Sequence, residues 1–151
     1  MKNTMMSAVI SVLAIAAISG CSKSSSSGSS TSMKTSLNGV AFSGSDCIDS
    51  VTDSTLFIYG TNFTTSITYP FIEIIITKYT GTGTYTLGTW GSFGGGPSTM
   101  AVIDSSASNA VASLYGTVTI TSVSPNLTGT FSFTCTDSTK VTGGSFTGNK
   151  P

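Results

Sequence analysis

From residue 33 onward the hydrophobic positions recur every second residue, with no convincing three-to-four spacing anywhere. Leu127 to Thr136 shows it most cleanly: Phe131, Phe133 and Cys135 fall in one phase, Ser132 and Thr134 in the other. That is the pattern of a strand with one buried face. Thr55 to Thr61, Gly81 to Leu87 and Thr99 to Ile103 read as further short strands. Pro70 to Tyr79 differs, because Phe71, Glu73 and Ile75 oppose Ile72, Ile74 and Ile76. Apolar side chains on both faces predict a central strand or one covered on both sides. Val111 to Val123 is long enough for a bent strand or a strand pair, with Leu114, Val118 and Ile120 in phase.

Turn chemistry separates these runs. Met33 to Phe42 is a short strand with an Asn38-Gly39 turn signal inside it. Ser43 to Ser54 is a polar turn region holding Cys47, Gly88 to Ser98 is a glycine-rich loop, and Asp104 to Asn109 is a turn. Lys140 to Thr147 closes the chain, with Gly143-Gly144 permitting a bulge before Phe146. Eight or nine short strands with regular turn signals predict an all-β fold, an antiparallel β-sandwich or an open barrel.

The N-terminus follows a different pattern. Lys2 precedes an apolar run, Ala8 to Ile18, interrupted only by Ser11. About 20 apolar residues are needed to span a bilayer, so this run fits the core of an export signal instead. It ends at Ile18-Ser19-Gly20-Cys21, which resembles the bacterial lipobox, so residues 1–20 read as a signal peptide and Cys21 as the lipidated first residue. Residues 21–32, nearly all Ser after the cysteine, cannot bury enough apolar area to offset chain entropy and read as a tether. Such a coil would reach about 20 Å. Residues 33–151 form a single domain. With several acyl chains on Cys21, attachment to the membrane would be stable. Ser22 in place of an acidic retention residue favours the outer membrane, and the absence of acids just after Cys21 favours its periplasmic face over the cell surface.

Composition then narrows the chemistry. The chain has no His and no Arg, which removes the commonest general base, the commonest metal ligand and the side chain best suited to phosphate and guanine. Without the leader, five lysines face six acids, a net charge of −1, so a nucleic-acid partner has no electrostatic basis. No cofactor motif is present. With Cys21 taken by lipid, Cys47 and Cys135 remain as a pair in an oxidising compartment, and a disulfide between them is expected. Closing a loop that long would contribute roughly 4 to 5 kcal/mol in the chain-entropy account.

The remaining candidates are weak. Asp46, Asp49 and Asp53 cluster near Cys47, but they lack the alternating spacing of a calcium loop and read as turn residues. Gly91 to Ser98 imitates a phosphate loop, yet Pro97 stands where the lysine belongs. Trp90 and Phe93, on that loop, could stack on a sugar ring or a protein partner, although a cap on the core is the favoured place for Trp90. Glu73 could pair with an Asp as a glycosidase does, but nothing in the sequence brings two carboxylates together, and a solvated strand end is its expected place.

The stretches Met33 to Phe42, Gly83-Thr84-Tyr85-Thr86-Leu87, Leu127 to Phe133 and Thr142-Gly143-Gly144-Ser145-Phe146 together resemble a family of small Bacteroidetes lipoproteins of unknown function. The resemblance implies a β-rich, lipid-anchored envelope protein and carries over no catalytic residue. Asp49-Ser50-Val51, Asp53-Ser54-Thr55 and Asp137-Ser138-Thr139 likewise resemble the O-glycosylation sequon of that group. The expected function is a non-enzymatic binding or structural module of the cell envelope, with a glycan or an envelope protein as partner. A carbohydrate-binding module using Trp90 and Phe93, and a small carboxylate hydrolase, are the alternatives.

Overall fold

The computed structural model describes residues 31–44, 46–61, 69–89, 99–106 and 109–149; of Asp46 and Ile48 it describes the backbone alone. Ten strands follow in order: β1 (Ser32–Leu37), β2 (Val40–Gly44), β3 (Asp46–Thr52), β4 (Thr55–Thr61), β5 (Phe71–Ile76), β6 (Gly83–Leu87), β7 (Met100–Ser106), β8 (Asn109–Ser122), β9 (Leu127–Cys135) and β10 (Lys140–Gly148). All are antiparallel to their neighbours, in the order β2-β1-β10-β9-β8-β7-β5-β4-β3, with β6 also on β8. The sheet stays open: β2 and β3 are edges that do not pair with each other.

A single sheet this wide buries a core only by folding over itself, and β8 is where it turns. Its first residues pair with β7, while Gly116 to Ile120 lie between β6 and β9. A bulge between Ser113 and Tyr115 separates the two regions, the usual device for letting one strand serve two half-sheets. β2, ending at Gly44, lies in one half and β3, starting at Asp46, in the other. As a result β3 packs over β10 and β1. Met33 on β1 fills the space that a side chain on Gly60 of β4 would occupy, which Gly60 leaves vacant.

Between the halves lies one apolar core. Leu56, Ile58, Ile72, Ile74 and Ile76 meet Met33, Val118, Leu127, Phe131, Phe133 and Phe146 there. Phe131 stacks on Phe133 and Phe146 at 6.1 and 6.3 Å. β5 is central, as its doubly apolar pattern predicts, with Ile72, Ile74 and Ile76 fully buried. The Asn38-Gly39 turn has φ of 49° and 85°, positive at both positions as a tight hairpin requires. The bulge at Gly143-Gly144 is also present.

Several expectations need correction. The described residues hold ten strands, not eight or nine. Ser43 to Ser54 contains the strand β3, whose register is set by pairing with β4 and not by its own sparse apolar pattern. Within the stretch expected as a turn, Asp104 to Ser106 end β7 and Asn109 begins β8. Leu114 is not in phase with the core, because the bulge turns it outward and puts Ser113 inside, fully buried. Ser113 is satisfied there by donating to the Gly88 carbonyl at 2.7 Å and accepting from the Ala101 N–H at 2.9 Å.

Candidate functional site

Among the described residues lies a cleft of about 310 Å³. Its apolar floor comes from Leu37 at the end of β1, Ile103 in the middle of β7 and Val111 near the start of β8. Its rim is polar, from Ser105 and Asn109 on the β7–β8 hairpin and Asp137 and Thr139 on the β9–β10 turn. Tyr69 and Pro70, entering β5 through a cis peptide bond, complete it.

The rim side chains are held by their own hairpins. Thr139 donates its N–H to Asp137 Oδ1 at 2.9 Å and its hydroxyl to Oδ2 at 3.0 Å. Asn109 Nδ2 donates to Ser105 Oγ at 3.0 Å, and that hydroxyl donates to the Asn109 carbonyl at 3.2 Å. Tyr69, 41% exposed, leans on Phe71 with 5.9 Å between ring centroids. The cleft also has a definite position. Ser32 starts β1 beside Thr147, and Leu37 ends it beside Val141, so about 17 Å of strand separates the entry of the N-terminal segment from the cleft.

A second constellation lies on the outer face of β4, β5 and β7. Glu73 is directly opposite Tyr59 and Val102 in the ladder, and Phe71 is opposite Asp104. Glu73 and Asp104 are therefore diagonal neighbours, with Cβ atoms at most about 7–8 Å apart. Burial pushes the Glu73 carboxyl upward, the Tyr59 hydroxyl opposes this by donating a hydrogen bond to it, and Asp104 adds to the rise. Burial likewise raises Tyr59, with Glu73 contributing, and burial alone raises Asp104. Glu73 is thus not at a solvated strand end but mid-strand, 8% exposed. The acid pair that a hydrolase would need does come together, but neither member lines the cleft.

Searches of protein-family models, curated proteins and solved structures gave no match for this chain.

The other sequence candidates separate. Cys47 and Cys135 are both buried and both free thiols, so the disulfide expected between them is not formed. Cys47 sits on β3, which packs across β10 and β1, whereas Cys135 lies on β9, beyond β10 in the sheet. Burial raises both thiols to about 12, with Asp49 adding at Cys47 and Asp137 at Cys135. Asp46 and Asp49 belong to β3 and only Asp53 to a turn, at φ 49°. Among the described residues no three acids or cysteines converge as metal ligands.

Asp49 has an unusual place. Both carboxylate oxygens are buried without a hydrogen-bond partner, and Oδ1 lies 2.6 Å from where a side chain on Gly148 would begin. Burial raises its pKa to about 6; N–H groups of Asn149 and of Asp49 itself favour the charge from nearby without forming well-directed bonds.

Cys21, Trp90, Phe93 and the loop Gly91 to Ser98 lie outside the described residues. Ser50, Ser54 and Ser138 of the three sequons are all exposed. Sequence reasoning did not find the cleft, because Leu37, Tyr69, Asn109 and Asp137 are far apart in the chain and look like ordinary turn and strand-end residues. Only the topology brings them to one pole.

Proposed function

We propose that the protein is a lipid-anchored, non-catalytic binding module of the bacterial cell envelope. Cys21 is its membrane attachment and the Ser-rich segment after it is the tether. The observation that carries the reading is polar opposition: the tether joins one end of β1, while the cleft opens at the other. A module anchored this way would present Tyr69, Asn109 and Asp137 away from the bilayer. The absence of His throughout the chain and the locking of Glu73 by Tyr59 favour binding over catalysis. The resemblance to small Bacteroidetes lipoproteins supports the same address.

Metabolic labelling with an alkyne-tagged fatty acid tests it. The wild-type protein should be labelled and recovered with membranes, and Cys21→Ser should be unlabelled and released in soluble form. An unlabelled wild-type protein overturns the anchor.

A further inference from the structure

We propose that the cleft at the pole opposite the tether holds one neutral sugar ring; this deepens the binding-module reading and rests on it. At about 310 Å³ the space lies at the small end of ligand sites, about 300–1,000 Å³, which suits one ring and not an extended chain. Its chemistry is divided in the same way as that of a sugar. Leu37, Ile103 and Val111 supply an apolar floor, and the exposed ring of Tyr69 supplies a flat surface for a C–H face.

The rim supplies acceptors. Each Asp137 oxygen takes one hydrogen bond from Thr139 and retains a lone pair, while Asn109 spends an N–H on Ser105 and keeps its Oδ1 for another donor. Acceptors set over an apolar floor call for a ligand rich in O–H donors. An apolar ligand would leave them unpaired, at a cost in affinity. An anionic ligand would meet Asp137 with no cationic side chain among the described residues of the lining to offset it. Because Asp137 and Asn109 are already fixed by their hairpins, binding would lose little side-chain freedom.

The test uses the whole mature chain and four probes, the methyl glycosides of glucose, galactose, mannose and N-acetylglucosamine, read by saturation-transfer NMR. At least one should bind. Tyr69→Ala should weaken that binding about tenfold, the equivalent of a lost aromatic contact. Asp137→Asn keeps an oxygen to cap the turn but removes the charge-assisted bond, and should weaken it about tenfold as well. Thr130→Ala, on the far outer face, should change nothing. The affinity should be the same in about 0.05 and 0.5 M salt, as screening acts only on charged ligands. Silence from all four glycosides overturns the inference, as does binding that survives both cleft variants. The labelling of Cys21 is an independent result, so failure here is distinguishable from failure of the anchored-module reading.

Discussion

The two halves of the sheet share a core but have opposite outer faces. On the half made by β6, the later part of β8, β9, β10, β1 and β2, one ladder row reads Thr84, Thr119, Thr130, Ser145, Lys34 and Ser43. None of these is buried, and hydroxyls meet across strands, as Thr84 with Thr119 at 3.0 Å and Thr121 with Thr128 at 2.9 Å. On the half made by β3, β4, β5 and β7, the equivalent positions are Phe57, Tyr59, Phe71, Glu73, Met100 and Val102. Phe57 stacks on Tyr59 at 6.4 Å, and Met100, Val102 and Glu73 are buried although they do not belong to the main core. The difference teaches that alternation identifies a strand, but only the identity of the second phase shows whether that strand is covered on one side or two.

The largest expected effect breaks this comparison directly. Glu73→Ala removes a buried side chain and leaves the Tyr59 hydroxyl without its acceptor, and should cost about 2–3 kcal/mol in urea unfolding. If the loss were only a few tenths, the outer face of β5 would be as free as that of β9. Val102→Ala, an apolar position on the same covered face, should cost about 2 kcal/mol. Thermal unfolding measures it.

Asp49→Asn goes the other way, in the seam where the halves meet. The folded pKa of Asp49, about 6, lies above its ordinary 3.8, so the native state binds the proton more tightly than the unfolded chain does. Its cost is full above about pH 6 and fades as the pH falls toward 4. A shift of that size corresponds to about 3 kcal/mol, and with part of the residue open to water about half is expected. The variant should therefore be about 1.5 kcal/mol more stable than the parent at pH 7 and equal to it below about pH 4. Parallel unfolding curves at both pH values decide this.

The seam can be examined chemically as well. Cys47 belongs to one half and Cys135 to the other, and no disulfide links them. The native protein should resist iodoacetamide at pH 8, and unfolding without reductant should allow two alkylations by mass; none would mean a covalent link. Smallest of all, Thr130→Ala on the hydroxyl face should change stability by no more than about 0.5 kcal/mol.

Much of this was legible in the chain. Phe131, Phe133 and Cys135 point inward as their spacing demands, Asn38-Gly39 turns the first hairpin, and the doubly apolar β5 is an inner strand of the sheet. Those features are local, set by two-residue alternation and by backbone angles that Asn and Gly tolerate. The strand β3 was not legible, because Asp46, Asp49 and Ser50 give it no apolar phase; pairing with β4 creates it. Leu114 and Ser113 exchanged places because a bulge shifts phase by one residue.

The sequence by itself determined an all-β chain, the inward set of its regular strands and the lack of imidazole and guanidinium chemistry. Tertiary structure alone decided that Glu73 and Asp104 are neighbours, that Cys47 and Cys135 remain free thiols, that Asp49 is enclosed beside Gly148, and that Tyr69, Asn109 and Asp137 share a cleft. The physical reason is range. Alternation and turn propensity act over a few residues, whereas strand order and the bend in β8 bring together side chains separated by most of the chain.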